Sequence, residues 1–288
     1  MAQEPLKKLL PEFIKSLAEK GRSPATILAY KTDLDQMASF LQKKSKVTPD
    51  QIKSSDLEEF RDSLLAKKFT AKSVSRKLNA VKTFFRWLVS EHHHDYDPSK
   101  DVSHPKVELS KPKFLSALEY RALRDVVRGD HRVATIVEMI LQTGMRISEI
   151  ANLKVEQVSE EEIIIESYAT QPQRKIPLNL AVKEAVQKYL NEGRPKTDHP
   201  HVFVSKTGKP LAVRNIRAAI DRYMQRAEIP GYSVNDLRTT FIIENLRRGV
   251  DLVTISQAAG HKRLSTTEFY LDLAGVTEPG KKQKLEEL

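Results

Sequence analysis

The chain has 288 residues and no cysteine, a formal net charge of +10 and a pI near 9.5. At roughly 150 residues per domain, this length predicts two domains with cores that need no disulfide. Disulfide frameworks and cysteine-ligated zinc are excluded. No apolar run reaches the roughly 18 residues of a membrane span, and the first residues lack a signal-peptide core. A soluble, intracellular protein is expected. The surplus of Lys and Arg favours a polyanionic partner, of which nucleic acid is the commonest.

The first third carries helix starts. Ser23-Pro24 sets a capping residue before a proline at the first helical position, ahead of residues 25–42. Ser55-Asp56-Leu57-Glu58 has the form of a capping box opening a helix towards Lys68. Val74, Leu78, Val81, Phe85 and Leu88 recur at helical spacing, which predicts an amphipathic helix over 71–91. Its other face holds Arg76, Lys77, Lys82 and Arg86, with no acid between Ala71 and Val89. Such a face is either solvated or turned to a phosphate backbone, and the missing acids favour the second. His92-His93-His94 point in different directions on a helix and make a poor metal-ligand set.

From Asp95 to Lys113 prolines at 98, 105 and 112 break the periodicity, which predicts a linker. Ser116-Ala117-Leu118-Glu119 is another capping box. Beyond it the pattern is mixed. An apolar helix is expected over 131–142. Short strands are expected at Ile163-Ile164-Ile165 and at residues 174–178, joined by a turn near Gln171-Pro172, with a further strand at Val202-Phe203-Val204. Helices are expected over 213–227, 234–248 and 252–259, followed by a capping box at Ser265-Thr266-Thr267-Glu268 that sets Tyr270 on a short helix.

Four side chains in this second part suit attack on a phosphodiester. Arg146 follows Thr143-Gly144-Met145, Arg238 follows Asn235-Asp236-Leu237, and His261 stands nine residues before Tyr270. A phosphodiester anion repels nucleophiles, so its charge must be neutralised. Arginine donates a planar, bidentate fork and stays charged. Histidine adds a donor. Cations near a phenol favour its phenolate, so the arginines would also activate a tyrosine nucleophile. No cofactor and no metal is called for by this set.

In their joint order these segments resemble those of the tyrosine recombinases (the phage-integrase superfamily), and the size and layout resemble the Xer-like site-specific recombinases. The match extends over nearly the whole chain. Residues 143–150 resemble the first arginine box, with Glu149 in the supporting place. Leu237-Arg238-Thr239-Thr240-Phe241 resembles the second, and Gly260-His261 with Thr266-Thr267-Glu268-Phe269-Tyr270 the histidine and nucleophile boxes. Ser23, Thr26 and Tyr30 fit the first-helix pattern of the family's DNA-binding domain.

The resemblance implies a mainly α fold with a small antiparallel β-sheet in the second domain. A helical core-binding (SAM-like) domain over 1–98, a linker over 99–113 and a catalytic domain with a C-terminal tail over 114–288 are expected. It implies Arg146, Arg238, His261 and Tyr270 as catalytic, Tyr270 as nucleophile, and Thr26, Tyr30, Arg76, Lys77, Lys82 and Arg86 as DNA-binding. The implied partners are a double-stranded recombination site and three further protomers in a tetramer, coupled by exchange of the tail over 279–288. The setting is the nucleoid-associated cytoplasm of a bacterium or archaeon. Two positions depart from the family pattern. The turn that holds the family's catalytic lysine has Ala169 or a neighbour there, and Lys175 is the nearby substitute. Asn235 stands where the second arginine box usually starts with histidine. A DNA-binding architectural protein that no longer cleaves is the alternative, and a relaxing topoisomerase is a third reading. Trapping of a covalent adduct on a nicked substrate separates the first two.

Overall fold

The computed structural model describes residues 4–91, 96–108, 111–167, 171–285 and 287–288. Backbone contacts divide the chain into two compact units, Met1–Ser110 and Lys111–Leu288. The His92–His94 run lies outside the described residues. Among the described residues no helix is long and apolar enough to cross a membrane.

The first unit holds helices α1 (Leu6–Glu19), α2 (Pro24–Gln42), α3 (Ser54–Ala66) and α4 (Ala71–Glu91). Helix α2 starts where the sequence indicates: the Ser23 hydroxyl accepts from the Thr26 N–H at 3.2 Å, and Pro24 takes the first helical position. Helix α3 does not use the box expected at Ser55. It starts at Ser54, and the Asp56 carboxylate accepts from the Lys53 N–H at 2.8 Å while pairing with Lys46. An anion at a helix N-terminus gains from the dipole as well as the hydrogen bond, and Lys46 fixes it there.

The apolar stripe of α4 is buried as its spacing predicts: Val74, Leu78, Val81, Phe85 and Leu88 all lie in the core. Its cationic face needs correction. Lys77 is 7% exposed and points inward, its Nζ donating to Asp33 of α2 at 2.8 Å. Arg76 grips the same carboxylate with both terminal nitrogens, although half its side chain remains in solvent. Asp33 is 1% exposed, and a buried carboxylate demands such partners. Arg86 remains exposed, its Nε on the Lys82 carbonyl at 3.2 Å. Thr26 and Tyr30 are partly buried; Thr26 shares a hydrogen bond with Ser23 at 2.8 Å, and the Tyr30 ring packs against Phe13.

Between α4 and Ala117 the described residues form no helix or strand; Val102 belongs to the first core and Leu115 to the second unit's. The second unit follows with α5 (Ala117–Val127), α6 (His131–Thr143), α7 (Ile147–Asn152), β1 (Glu162–Ile165), β2 (Arg174–Pro177), α8 (Leu180–Lys188), α9 (Val213–Arg226), α10 (Val234–Arg247), α11 (Leu252–Ala259), α12 (Ser265–Glu268) and α13 (Leu271–Ala274). Ser116 and Glu119 close the expected box at the start of α5. Helix α8, which apolar periodicity leaves unmarked, is capped by Asn179 accepting from the Val182 N–H at 3.1 Å.

Strands β1 and β2 pair antiparallel, Ile163 opposite Ile176, Ile164 opposite Lys175 and Ile165 opposite Arg174. The two-residue period puts Ile163, Ile165, Ile176 and Arg174 on the inner face, and Ile164 and Lys175 on the outer. Val202-Phe203-Val204 is buried, but it makes isolated bridges at its flanks rather than a strand.

The C-terminal segment folds onto its own unit. Lys282 accepts from the Asp251 N–H at 2.9 Å and donates to the Gly249 carbonyl at 3.1 Å, and Leu288 donates to Gln142 Oε1 at 3.0 Å. Within the chain the described tail residues thus hydrogen-bond to Gln142 of α6 and to the turn before α11.

Candidate active site

Arg146 stands at the end of α6. Gly144 closes that helix in the left-handed region at φ +63°, and a Cβ there would lie 2.4 Å from the Phe241 ring. Only glycine makes this turn so close to α10. The chain then enters α7 with Arg146 as its cap residue, where the Arg146 N–H donates to Glu149 Oε2 at 2.8 Å. The same carboxylate takes the Arg146 guanidinium at 3.1 Å, while Arg146 Nη2 donates to the Gly260 carbonyl at 2.6 Å.

Gly260 ends α11 in the left-handed region at φ +67°. A Cβ at this point would meet Arg174 Cζ at 2.8 Å and Arg146 Nη1 at 2.9 Å. Glycine therefore serves two needs here, the turn and the close passage over two guanidiniums. His261 follows, its N–H on the Ser256 carbonyl at 2.9 Å and its Nδ1 2.8 Å from the Thr267 hydroxyl. Arg238 reaches in from the first turns of α10 and donates to the Gly144 carbonyl.

The expected helix around Tyr270 is interrupted. Ser265 is the first residue of α12 rather than its cap, and α12 ends at Glu268; Tyr270 is the cap residue of α13 at φ −89° and ψ −8°. Two single turns meet there, and the nucleophile candidate sits in the break between them. Its ring runs nearly parallel to that of His261, at 13° with centroids 6.4 Å apart, and it remains partly exposed.

Arg174 belongs to this set and was not among the expected residues. Its Nη1 and Nη2 hold the two oxygens of Glu149 at 2.8 Å each, and Nε donates to the Ala258 carbonyl at 3.0 Å. The signal was present in the strand: position 174 is two residues before the buried Ile176 and shares its face. Lys175, the proposed substitute for the missing lysine, takes the other face. It is exposed, and its Nζ pairs with Glu162 at 2.7 Å. A one-residue step along a strand reverses the side chain, so Lys175 points away from the cluster that Arg174 enters. Asn235 is exposed on the first turn of α10, three residues before Arg238. Tyr168, Ala169 and Thr170 lie outside the described residues.

Electrostatics follow from three guanidiniums around one carboxylate. Burial alone would raise the Glu149 carboxyl, but the bonds and charge of Arg174, then of Arg146, outweigh it and hold it below the usual range. Burial brings Arg238 down to about 9, and Arg146 pushes the same way; Glu149 and Tyr270 act in the opposite sense. His261 falls to about 4, through burial first and then through repulsion from Arg238, Arg146 and Arg174. At neutral pH the cluster thus holds charged arginines and a neutral imidazole.

Residues 113–275 match the model of the phage integrase family, and residues 10–92 match the N-terminal SAM-like domain of phage integrases. The chain is 30% identical to tyrosine recombinase XerC of Listeria monocytogenes over 277 residues, covering 91% of this chain and 92% of the relative. It is 31% identical to tyrosine recombinase XerC of Lactobacillus delbrueckii subsp. bulgaricus over 266 residues, covering 88% and 89%. Among solved structures, the crystal structure of XerA recombinase aligns at 28% identity with a TM-score of 0.54, covering 93% of this chain and 95% of that one. A lambda integrase dimer bound to a COC' core site aligns at 17% identity with a TM-score of 0.76, covering 98% and 81%, and so shares the fold.

Proposed function

The chain belongs to the phage integrase family of tyrosine recombinases, and we propose that it cuts and rejoins double-stranded DNA at a specific site through Tyr270. The observation that carries this reading is the gathering of Arg146, Arg238 and a neutral His261 beside a partly exposed Tyr270.

Arg146 and Arg238 bind the non-bridging oxygens of one phosphate, and His261 adds a third donor. Tyr270 Oη attacks phosphorus and gives up its proton to water. The bond from phosphorus to the 5′-oxygen breaks, and that oxygen leaves as a hydroxyl after taking a proton. A 3′-phosphotyrosyl ester remains. A 5′-hydroxyl of the partner strand then attacks this ester and releases the tyrosine. One phosphate ester replaces another at each step, so no ATP is consumed. With Lys175 on the outer face of the hairpin, the leaving oxygen takes its proton from water, and cleavage is expected to be slow by a factor of about 10² to 10⁴, the usual loss without a general acid.

The proposed partners are the recombination site and three further copies of the chain, in the nucleoid-bearing cytoplasm of a bacterium or archaeon. Lys82, Arg86, Thr26 and Tyr30 remain the proposed DNA contacts of the first unit, and Arg76 joins them only with the part of its side chain left in solvent. Lys77, committed to Asp33, is withdrawn. Exchange of the tail between copies would first break its bonds to Gly249, Asp251 and Gln142.

A nicked suicide substrate drawn from a DNA library tests the proposal. Wild-type protein should form a denaturant-resistant adduct and report the site with it, while Tyr270→Phe binds DNA and forms none. Sequence-specific binding without any adduct from the wild type would leave only a DNA-binding role. Retained cleavage by Tyr270→Phe would remove the nucleophile assignment.

A further inference from the structure

The other buried helical threonines described in this unit donate back to the carbonyl four residues earlier: Thr135 to His131 at 2.8 Å, Thr143 to Met139 at 2.5 Å, Thr239 to Asn235 at 3.1 Å, Thr240 to Asp236 at 2.8 Å. That satisfies a hydroxyl in a dry interior. Thr267 is 0% exposed and differs. Its hydroxyl lies 2.8 Å from Nδ1 of His261, across the short loop that separates the two residues.

We propose that Thr267 is a positioning residue that fixes which ring nitrogen of His261 carries the proton. The inference deepens the recombinase reading, since the histidine it orients is the one assigned to the phosphate. A neutral imidazole has one N–H and one lone pair. If Nδ1 carried the proton, it would donate to the Thr267 oxygen, and the hydroxyl hydrogen would need an acceptor elsewhere. Among the described residues the hydrogen-bond partner of this buried hydroxyl is the imidazole. Buried donors are paired in folded proteins, so the hydroxyl donates to Nδ1. The proton then resides on Nε2.

The surroundings give that choice a consequence. Burial first, and then Arg238, Arg146 and Arg174, keep the ring neutral, so its single proton cannot serve both nitrogens. With Nδ1 occupied by Thr267, Nε2–H faces an incoming phosphate oxygen as a donor. The opposite tautomer would present a lone pair to that oxygen, which repels an anion. The Thr267 hydroxyl thus acts on the phosphate through His261 without touching it. It also ties the loop that carries His261 to the turn just before Tyr270, so the donor and the nucleophile keep one spacing.

The test has two independent readouts on the full chain. Long-range proton–nitrogen NMR of the His261 ring, in 15N-labelled protein at neutral pH without DNA, should give an unprotonated Nδ1 and a protonated Nε2. Thr267→Val, of nearly equal shape, should lose that uniform pattern and cleave the suicide substrate about ten- to a hundred-fold more slowly, the usual loss with an orienting partner. Its DNA affinity should not change. Thr267→Ser should restore both signals. A protonated Nδ1 in the wild type overturns the proposal, and so does a Thr267→Val protein whose ring pattern matches the wild type. Should Thr267→Val not fold, the wild-type and Thr267→Ser patterns still decide. If the ring pattern shifts as described while no variant ever forms an adduct, the positioning stands and the recombinase reading falls.

Discussion

Arg174 holds both carboxylate oxygens of Glu149 at 2.8 Å, and each side chain is only 11% exposed. Glu149 in turn meets both the backbone N–H and the guanidinium of Arg146. Arg146, the proposed phosphate ligand, is therefore braced by a second arginine through a shared acid. Removing one member of a buried ion pair strands the other, at a typical cost of about 3–5 kcal/mol. Arg174→Ala should lower the denaturation midpoint markedly and slow cleavage. Arg174→Lys keeps the charge but not the fork, and should recover stability only in part. Adding Glu149→Gln to Arg174→Ala should cost less than the sum of the two single changes, because the bonds between Arg174 and Glu149 can be lost only once, while Arg146 still loses its acid partner. A double-mutant cycle by urea denaturation checks this, and strict additivity would mean the two residues act separately.

How far the sequence could be read divides along physical lines. Helix α4 was legible because its apolar residues repeat at helical spacing, and α2 because Ser23-Pro24 marks its first turn. Arg146, Glu149, Arg238, His261 and Tyr270 were legible as motifs, and they converge. Lys77 was misread because charge pattern says nothing about a buried Asp33 on another helix. Arg174 was missed, and Lys175 favoured, because choosing between neighbours on a strand needs the register, which Ile176 reveals only once its burial is known. Thr267 was taken as part of a capping box, whereas its hydroxyl serves a residue six positions earlier. Local chemistry is read along the chain; pairings across it are not.

Gly260 should tolerate no side chain. A residue with a Cβ pays for the left-handed conformation by roughly 1 kcal/mol or more, and here it also meets Arg174 Cζ at 2.8 Å and Arg146 Nη1 at 2.9 Å. Neither guanidinium is free to move, since both hold Glu149. Gly260→Ala is expected to fold less stably and to lose cleavage out of proportion to that loss, because the displaced group is Arg146. Gly249→Ala is the control: its φ is +79°, with open space around a Cβ. Equal cleavage rates for the two variants at matched stability would show that crowding at the arginines is irrelevant.

The neutral imidazole sets a pH dependence. The folded-state value of His261 is about 4 against an ordinary 6.5. Between those values the unfolded chain binds a proton that the folded chain does not. Stability from this group is therefore fully present above about pH 6.5 and is lost as pH falls towards 4. Thermal melts of wild type and His261→Gln, compared from pH 7 to 4.5, should show a steeper fall for the wild type. Cleavage should show no histidine limb between pH 6 and 8, since the ring stays neutral there. A wild-type rate that rises or falls through pH 6.5, and loses that step in His261→Gln, would mean the ring titrates normally.

The cluster carries more positive than negative charge, with Arg146, Arg174 and Arg238 around Glu149. Like charges held together oppose folding, and the lowered values of Arg238 and His261 record burial first and then that repulsion. An anion placed among them relieves it, so inorganic phosphate should stabilise the free protein. At a ligand concentration ten times its dissociation constant, the gain is about 1.4 kcal/mol. Ionic strength alone would also screen the repulsion, and chloride at matched ionic strength separates the two effects. Phosphate should raise the melting temperature well beyond chloride in the wild type. Arg238→Gln and Arg146→Gln should respond to both salts alike, while Lys175→Gln, on the outer face of the hairpin, should keep the wild-type response. A phosphate effect that survives in Arg238→Gln would locate the anion elsewhere on this basic chain and detach the three arginines from phosphate recognition.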